Sequence, residues 1–181
     1  MTLSNELQAD VAYVMSMLKL ELGNKLIAQG HATSKTQSNL IKSIDYTIEA
    51  SAFLIVAEMY MNDYYIFLEK GVKASRIPYG RKSGAKTSKY IQGLIRFFRL
   101  RVGLSDRAAK QAAFATANKH KREGMPTRAS FRFSKDGTRL GFVDSTLKKF
   151  EDEIGELLEE RSGGTVEKEF IKILQNVSQY F

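Results

Sequence analysis

Ile44-Asp45-Tyr46-Thr47-Ile48-Glu49-Ala50-Ser51-Ala52-Phe53-Leu54-Ile55-Val56-Ala57-Glu58-Met59 is the stretch on which the fold class turns. Ile44, Tyr46 and Ile48 alternate with Asp45, Thr47 and Glu49, the two-residue period of a half-buried strand. After Ala50-Ser51, residues 53–59 are near-continuously apolar, of strand length and β-branched at Ile55-Val56, and read as the returning strand of a hairpin. Outside this stretch the period changes.

Toward the N-terminus, Leu7, Val11, Val14, Leu18, Leu22 and Leu26 recur at steps of three and four. That spacing predicts a long helix over residues 4–28, capped by Ser4 and stopped at Gly30. On the other side, Asn62 or Asp63 caps a short helix that runs through Glu69 and ends at Gly71. Residues 72–86 read as a long basic loop. Thr87 or Ser88 then starts a helix with Ile91, Leu94, Ile95, Phe98 and Val102 inward, and Ser105 caps a further one over 106–122. Ala108, Ala109, Ala112 and Ala113 on that helix permit close approach of a neighbour. Gly124-Met125-Pro126 breaks it. Phe131 and Phe133 alternate with Arg132 and Ser134, and Asp136-Gly137 follows, which predicts a second hairpin. An acidic amphipathic helix over 145–161 turns Leu147, Phe150, Ile154, Leu157 and Leu158 inward, and a last helix covers 166–180. The expected fold is α+β: a long N-terminal helix and two β-hairpins forming a small antiparallel sheet, packed by several amphipathic helices. One domain over residues 1–181 is expected, with a C-terminal helical extension from about residue 144.

The chain has 181 residues, 43% of them hydrophobic and 27% charged, enough to build a core and too apolar for disorder. With no cysteine there is no disulfide scaffold and no thiol nucleophile, which suits a reducing compartment. Residues 1–10 show no secretory signal. The longest apolar run, residues 52–57, is far short of a membrane span, so no membrane partner is expected. Charge is unevenly spread. Residues 1–69 hold 4 Lys and Arg against 8 Asp and Glu, residues 70–139 hold 19 against 3, and residues 140–181 hold 5 against 9. A cationic middle between acidic ends acts on partners more than on the fold.

Catalytic chemistry finds little purchase. Gly80-Arg81-Lys82-Ser83-Gly84-Ala85-Lys86-Thr87 nearly spells a phosphate loop, but Ala85 replaces the glycine that must precede the lysine. His31 and His120 lack the paired spacing of metal ligands, and no nucleophile elbow is present. No metal, cofactor or catalytic residue is expected, and the reading is of a protein that is not an enzyme. Arg81, Lys82, Lys86, Lys89, Arg96, Arg99, Arg101, Lys119, Lys121, Arg122, Arg128, Arg132 and Arg139 form the expected basic patch, facing another subunit or DNA. Glu151, Asp152, Glu156, Glu159 and Glu160 form its acidic complement.

Ser38-Asn39-Leu40-Ile41-Lys42-Ser43-Ile44 before the hairpin and Tyr64-Tyr65-Ile66-Phe67-Leu68-Glu69-Lys70-Gly71 after it carry a resemblance. They resemble phrases of the tail-completion, or head–tail joining, family of tailed bacteriophages, through Leu40, Ser43, Ile44, Tyr64, Glu69 and Gly71. Gly124-Met125-Pro126-Thr127-Arg128 with the aromatic–basic segment after it is similar to long versions from phages of Bacteroidetes hosts. The resemblance spans roughly residues 5–135. It implies a non-enzymatic virion protein, made in the host bacterial cytoplasm. It also implies a homo-oligomeric ring in the neck or tail around the DNA passage, against portal, neck or tail proteins. A head-to-tail ring needs two complementary surfaces per subunit, and the basic patch and acidic helix supply opposite signs. The alternative is a free basic protein that binds nucleic acid without sequence preference or assists DNA packaging.

Overall fold

In the computed structural model of the chain, residues 5–32, 38–51, 54–80 and 88–162 are described. They are α+β and predominantly helical, with one two-stranded antiparallel sheet. The sequence reads as one domain, whereas the chain clusters into two compact units. Gly71–Arg132 forms one, inserted between the halves of the other.

The host unit is built on α1 (Asn5–Ala28), a helix about 36 Å long at 1.5 Å per residue. Its apolar stripe is buried as its spacing predicts, through Val11, Val14, Met15, Leu18, Leu22 and Leu26. The helix ends in a Schellman motif. His31 N–H donates to the Leu26 carbonyl and Gly30 N–H to that of Ile27, both at 2.9 Å, with Gly30 at φ +72°. Glycine is required there twice over, because a Cβ would also stand 2.3 Å from the Phe133 carbonyl oxygen.

Ser38 caps α2 (Asn39–Ser43), accepting from Ile41 N–H, and Leu40 and Ile44 are buried beside it. The expected hairpin follows, β1 (Asp45–Ala50) against β2 (Ile55–Tyr60), with Tyr46 opposite Met59 and Ile48 opposite Ala57. These pairs share the face that packs on the α1 core. Ser43 Oγ donates to the Leu40 carbonyl and accepts from Asn62 N–H, tying the turn before the hairpin to the strand end after it. The next helix, α3 (Tyr65–Glu69), carries no side-chain cap, unlike the expected Asn62 or Asp63. Asn62 instead directs its amide to the Asn39 carbonyl.

The second expected hairpin is absent among the described residues. Arg128–Phe133 coils into a 3₁₀ helix, and residues 134–141 clamp the end of α1. Asp136 is the pivot. It pairs with Lys25 at 2.7 Å and accepts from Ser134 Oγ and from Thr138 N–H and Oγ1. Burial works against its charge, but these donors prevail and hold the carboxyl well below the usual range. Lys135 N–H donates to the Ala28 carbonyl, and the fully buried Gln29 donates to Thr138 Oγ1 and the Leu140 carbonyl. α6 (Phe142–Ser162) then starts three residues earlier than the sequence suggests. Its first turn is capped from a distance, since the Glu69 carboxylate accepts from Val143 N–H at 2.8 Å and Asp144 N–H at 3.2 Å. Phe142, Phe150 and Ile154 complete the core. The expected last helix and the extension beyond Ser162 lie outside the described residues.

The inserted unit is a helical pair. α4 (Lys89–Leu100) is capped by Ser88, one of the two residues expected, and α5 (Asp106–Glu123) by Ser105, as expected. They run antiparallel: Tyr90 near the start of α4 bonds His120 near the end of α5 at 2.6 Å, and Arg99 pairs with Asp106 at the other end. Ala109, Ala113 and Ala117, all fully buried, line α5 at every fourth position and let the helices pack closely. Val102, expected on the inner face, falls beyond the end of α4 and is exposed.

The start of the supposed basic loop is anchored. Val72 exchanges backbone hydrogen bonds with Met125 at 2.7 and 2.8 Å, residues Ala74–Arg76 form a 3₁₀ turn, and Ile77 and Tyr79 are buried. Gly124, at φ +81° where α5 stops, leaves no room for a Cβ, which would lie 2.5 Å from the Val72 carbonyl oxygen.

Candidate functional site

The charge boundary read from sequence nearly coincides with the structural one. Residues 71–132 carry sixteen Lys and Arg against Asp106 and Glu123, a net of +14, and the rest of the chain carries −6. The cationic excess thus belongs to one unit, the other twelve Lys and Arg being outnumbered by acids on the rest of the chain. This is a property of a surface rather than of a loop.

Within that body Lys89, Arg96, Arg99, Arg101, Lys121, Arg122, Arg128 and Arg132 are exposed, and Lys119 is half-buried. Arg99 pairs with Asp106 at 2.8 Å, and Lys121 Nζ donates to the Ile77 carbonyl at 3.2 Å. Arg81, Lys82 and Lys86, and with them the near-phosphate-loop, lie outside the described residues. Arg139 does not join the patch. It belongs to the host unit, half-buried, with Nη1 toward the Gly30 carbonyl and burial depressing its pKa. The list of patch residues read from sequence drew on both units. It omitted Lys73, Arg76, Arg107 and Lys110, which the charge count over residues 70–139 includes and the inserted unit exposes.

The outer face of α4 combines charge with apolar area. Phe97 is 52% exposed and Leu100 69%, and Phe97 meets Phe98 edge to face at 5.4 Å. Gln92, Ile95, Arg96, Arg99 and Leu100 line a groove of about 400 Å³ along this helix. Large exposed apolar side chains beside cations are the composition of a binding face, since neither water nor the unit's own core stabilises them.

On the host unit, Glu151, Asp152 and Glu156 of α6 are exposed as expected. Glu159 and Glu160 lie on the same helix, their side chains outside the described set. The six family-phrase residues hold structural positions. Leu40 and Ile44 are core, Ser43 stitches two segments, Glu69 caps α6, Gly71 takes φ +71° after α3, and Tyr64 is exposed before it.

His31 and His120 are both half-buried. His31 Nε2 donates to the Arg139 carbonyl at 3.1 Å, and burial followed by the Arg139 charge lowers its pKa. Burial also lowers that of His120, beside Tyr90. They belong to different units and form no pair. Among the described residues, no cluster of three or more His, Asp or Glu is arranged to hold a metal ion, and no helix is long and apolar enough to cross a membrane. No known protein family, curated protein or solved structure matches this chain.

Proposed function

We propose that this chain is a non-enzymatic structural protein of a tailed-phage virion, of the tail-completion type, whose copies join head to tail into a ring. The observation that carries the reading is the sorting of opposite charges onto separately folded bodies, +14 on one and −6 on the remainder. The α4 groove, with Ile95 and Leu100 between Arg96 and Arg99, is one docking face. The acidic side of α6, through Glu151, Asp152 and Glu156, is its complement on the next copy. Such a pair is heterologous, the kind of contact that closes into rings. Charge steers the docking, and the apolar groove residues supply the buried area. Portal, neck or tail proteins are the further partners, and the remaining cations tolerate DNA in the passage through phosphate contacts alone.

Mass photometry across a salt series tests this. The expected result is oligomers that fall apart as salt rises. Arg96→Glu should dissolve them, and the companion charge reversal Asp152→Arg, added to it, should restore them. A monomer at high concentration and low salt overturns the reading. The second reading, a free polyanion-binding protein, is favoured by the exposed Arg and Phe residues of the inserted unit. It requires tight monomeric binding to duplex DNA with a steep log–log salt slope.

A further inference from the structure

The second cavity of the inserted unit has a different chemistry from the α4 groove. It lies where α5 stops and the 3₁₀ helix begins, holds about 500 Å³, and is lined by Arg122, Glu123, Pro126, Arg128 and Phe131. Small-ligand sites commonly span roughly 300–1,000 Å³. Both arginines are exposed, and Phe131 is 37% exposed. The walls are fixed from behind. Gly124 is packed against Val72, Met125 is tied to Val72 by two backbone bonds, and Glu123 Oε2 accepts from Arg128 N–H at 3.1 Å. Thr127, beneath the turn, is buried, and its carbonyl accepts from Ser130 N–H and Oγ. An aromatic ring and two guanidinium groups therefore stand on a braced turn.

We propose that this cavity takes one unpaired nucleotide of a single-stranded nucleic acid. The Arg122 and Arg128 guanidinium groups hold the phosphate, and the base stacks on Phe131. Each lining chemistry matches one part of that ligand. Guanidinium binds phosphate in a bidentate fork, and an aromatic face takes any base. Glu123 stands where it can accept from a base edge, with its other oxygen bracing the turn. A duplex fits poorly, because its bases are stacked on each other and present no face to Phe131. An acidic peptide satisfies the arginines but leaves the ring without a flat partner. The surrounding charge of +14 on this unit raises the local concentration of any polyanion. Ring formation is not required for any of this.

The test uses the full-length protein, a fluorescein-labelled dT10 strand and a blunt duplex carrying the same number of phosphates, in fluorescence anisotropy. The single strand is expected to bind tighter than the duplex. Phe131→Ala should weaken dT10 binding by about 5- to 150-fold, the span of one lost base–aromatic stack, with duplex binding unchanged and Phe131→Tyr near wild type. Arg122→Gln and Arg128→Gln should each flatten the log–log salt slope for dT10 by about 0.7. Phe67→Ala, which removes an exposed ring of the host unit, should leave dT10 binding unchanged and controls for general loss of apolar surface. Equal affinity for strand and duplex overturns the proposal. So does wild-type dT10 binding by Phe131→Ala, or an equal loss in Phe67→Ala. Because dT10 binding is read on the monomer at dilution, failure here leaves the salt-dependent assembly result standing, and the reverse holds too.

Discussion

The two units spend their apolar residues differently. The host unit buries twelve core side chains, six from α1, and pins residues 134–141 to the end of α1 through Asp136, Gln29 and His31. The inserted unit buries Ile77, Tyr79, Ile91 and Ala117 in its cluster, relies on alanines for helix contact, and leaves Phe97, Leu100 and Phe131 at the surface. Both units leave large apolar side chains at the surface, Tyr13, Leu20 and Phe67 among those of the first. In the second they stand among an excess of cations, +14 against −6 on the rest of the chain. The first carries the larger core and the second the net positive charge.

The hardest test of that contrast is Phe142→Ala in the host core. Removing a fully buried ring should cost about 3–5 kcal/mol in urea denaturation. Ile91→Ala, the matching cut in the inserted unit, should cost about 2–5 kcal/mol. In hydrogen exchange it should release amides of α4 and α5 while those of α1 and α6 keep wild-type protection. Parallel loss in both would show the units to be one cooperative body. Glu69→Ala uncaps α6 and should cost about 1–2 kcal/mol, with Glu69→Gln intermediate because one acceptor oxygen survives. The smallest effect is expected from pH. His31 and His120 hold a proton less tightly in the folded chain than in the unfolded one, so below about pH 6.5 the unfolded chain binds more protons. Their contribution is fully present above that pH and is lost as pH falls. His31→Gln should flatten the decline for the host unit and His120→Gln for the inserted one, read by exchange in each.

Local signals carried far in this chain. The α1 stripe, the register face of the hairpin, and the caps Ser88 and Ser105 all depend on neighbours within a few positions, and each was legible. The second hairpin misled because Asp136-Gly137 is a turn signal whose meaning depends on what the flanking residues meet. Phe131 to Phe133 is too short an alternation to separate a strand from a 3₁₀ coil. Its continuation found a better partner in the open end of α1, where Lys135 N–H satisfies the Ala28 carbonyl and Lys25 reaches Asp136. The candidate surface was legible as charge but not as shape. Arg122, Arg128 and Phe131 were visible as residue types, while the cavity that unites them depends on the Val72–Met125 bridge, 53 positions apart in the chain. Glu69 capping α6 from 74 positions away has the same character.

The host chain departs at Lys70 and resumes at Phe133, and its own bonds already fasten that junction: the Glu69 carbonyl accepts from Gly141 N–H while the Glu69 carboxylate holds the first turn of α6. The fastening owes nothing to what is spliced between. Such a seam is where an engineer could install a foreign body while keeping the bonds that close the host.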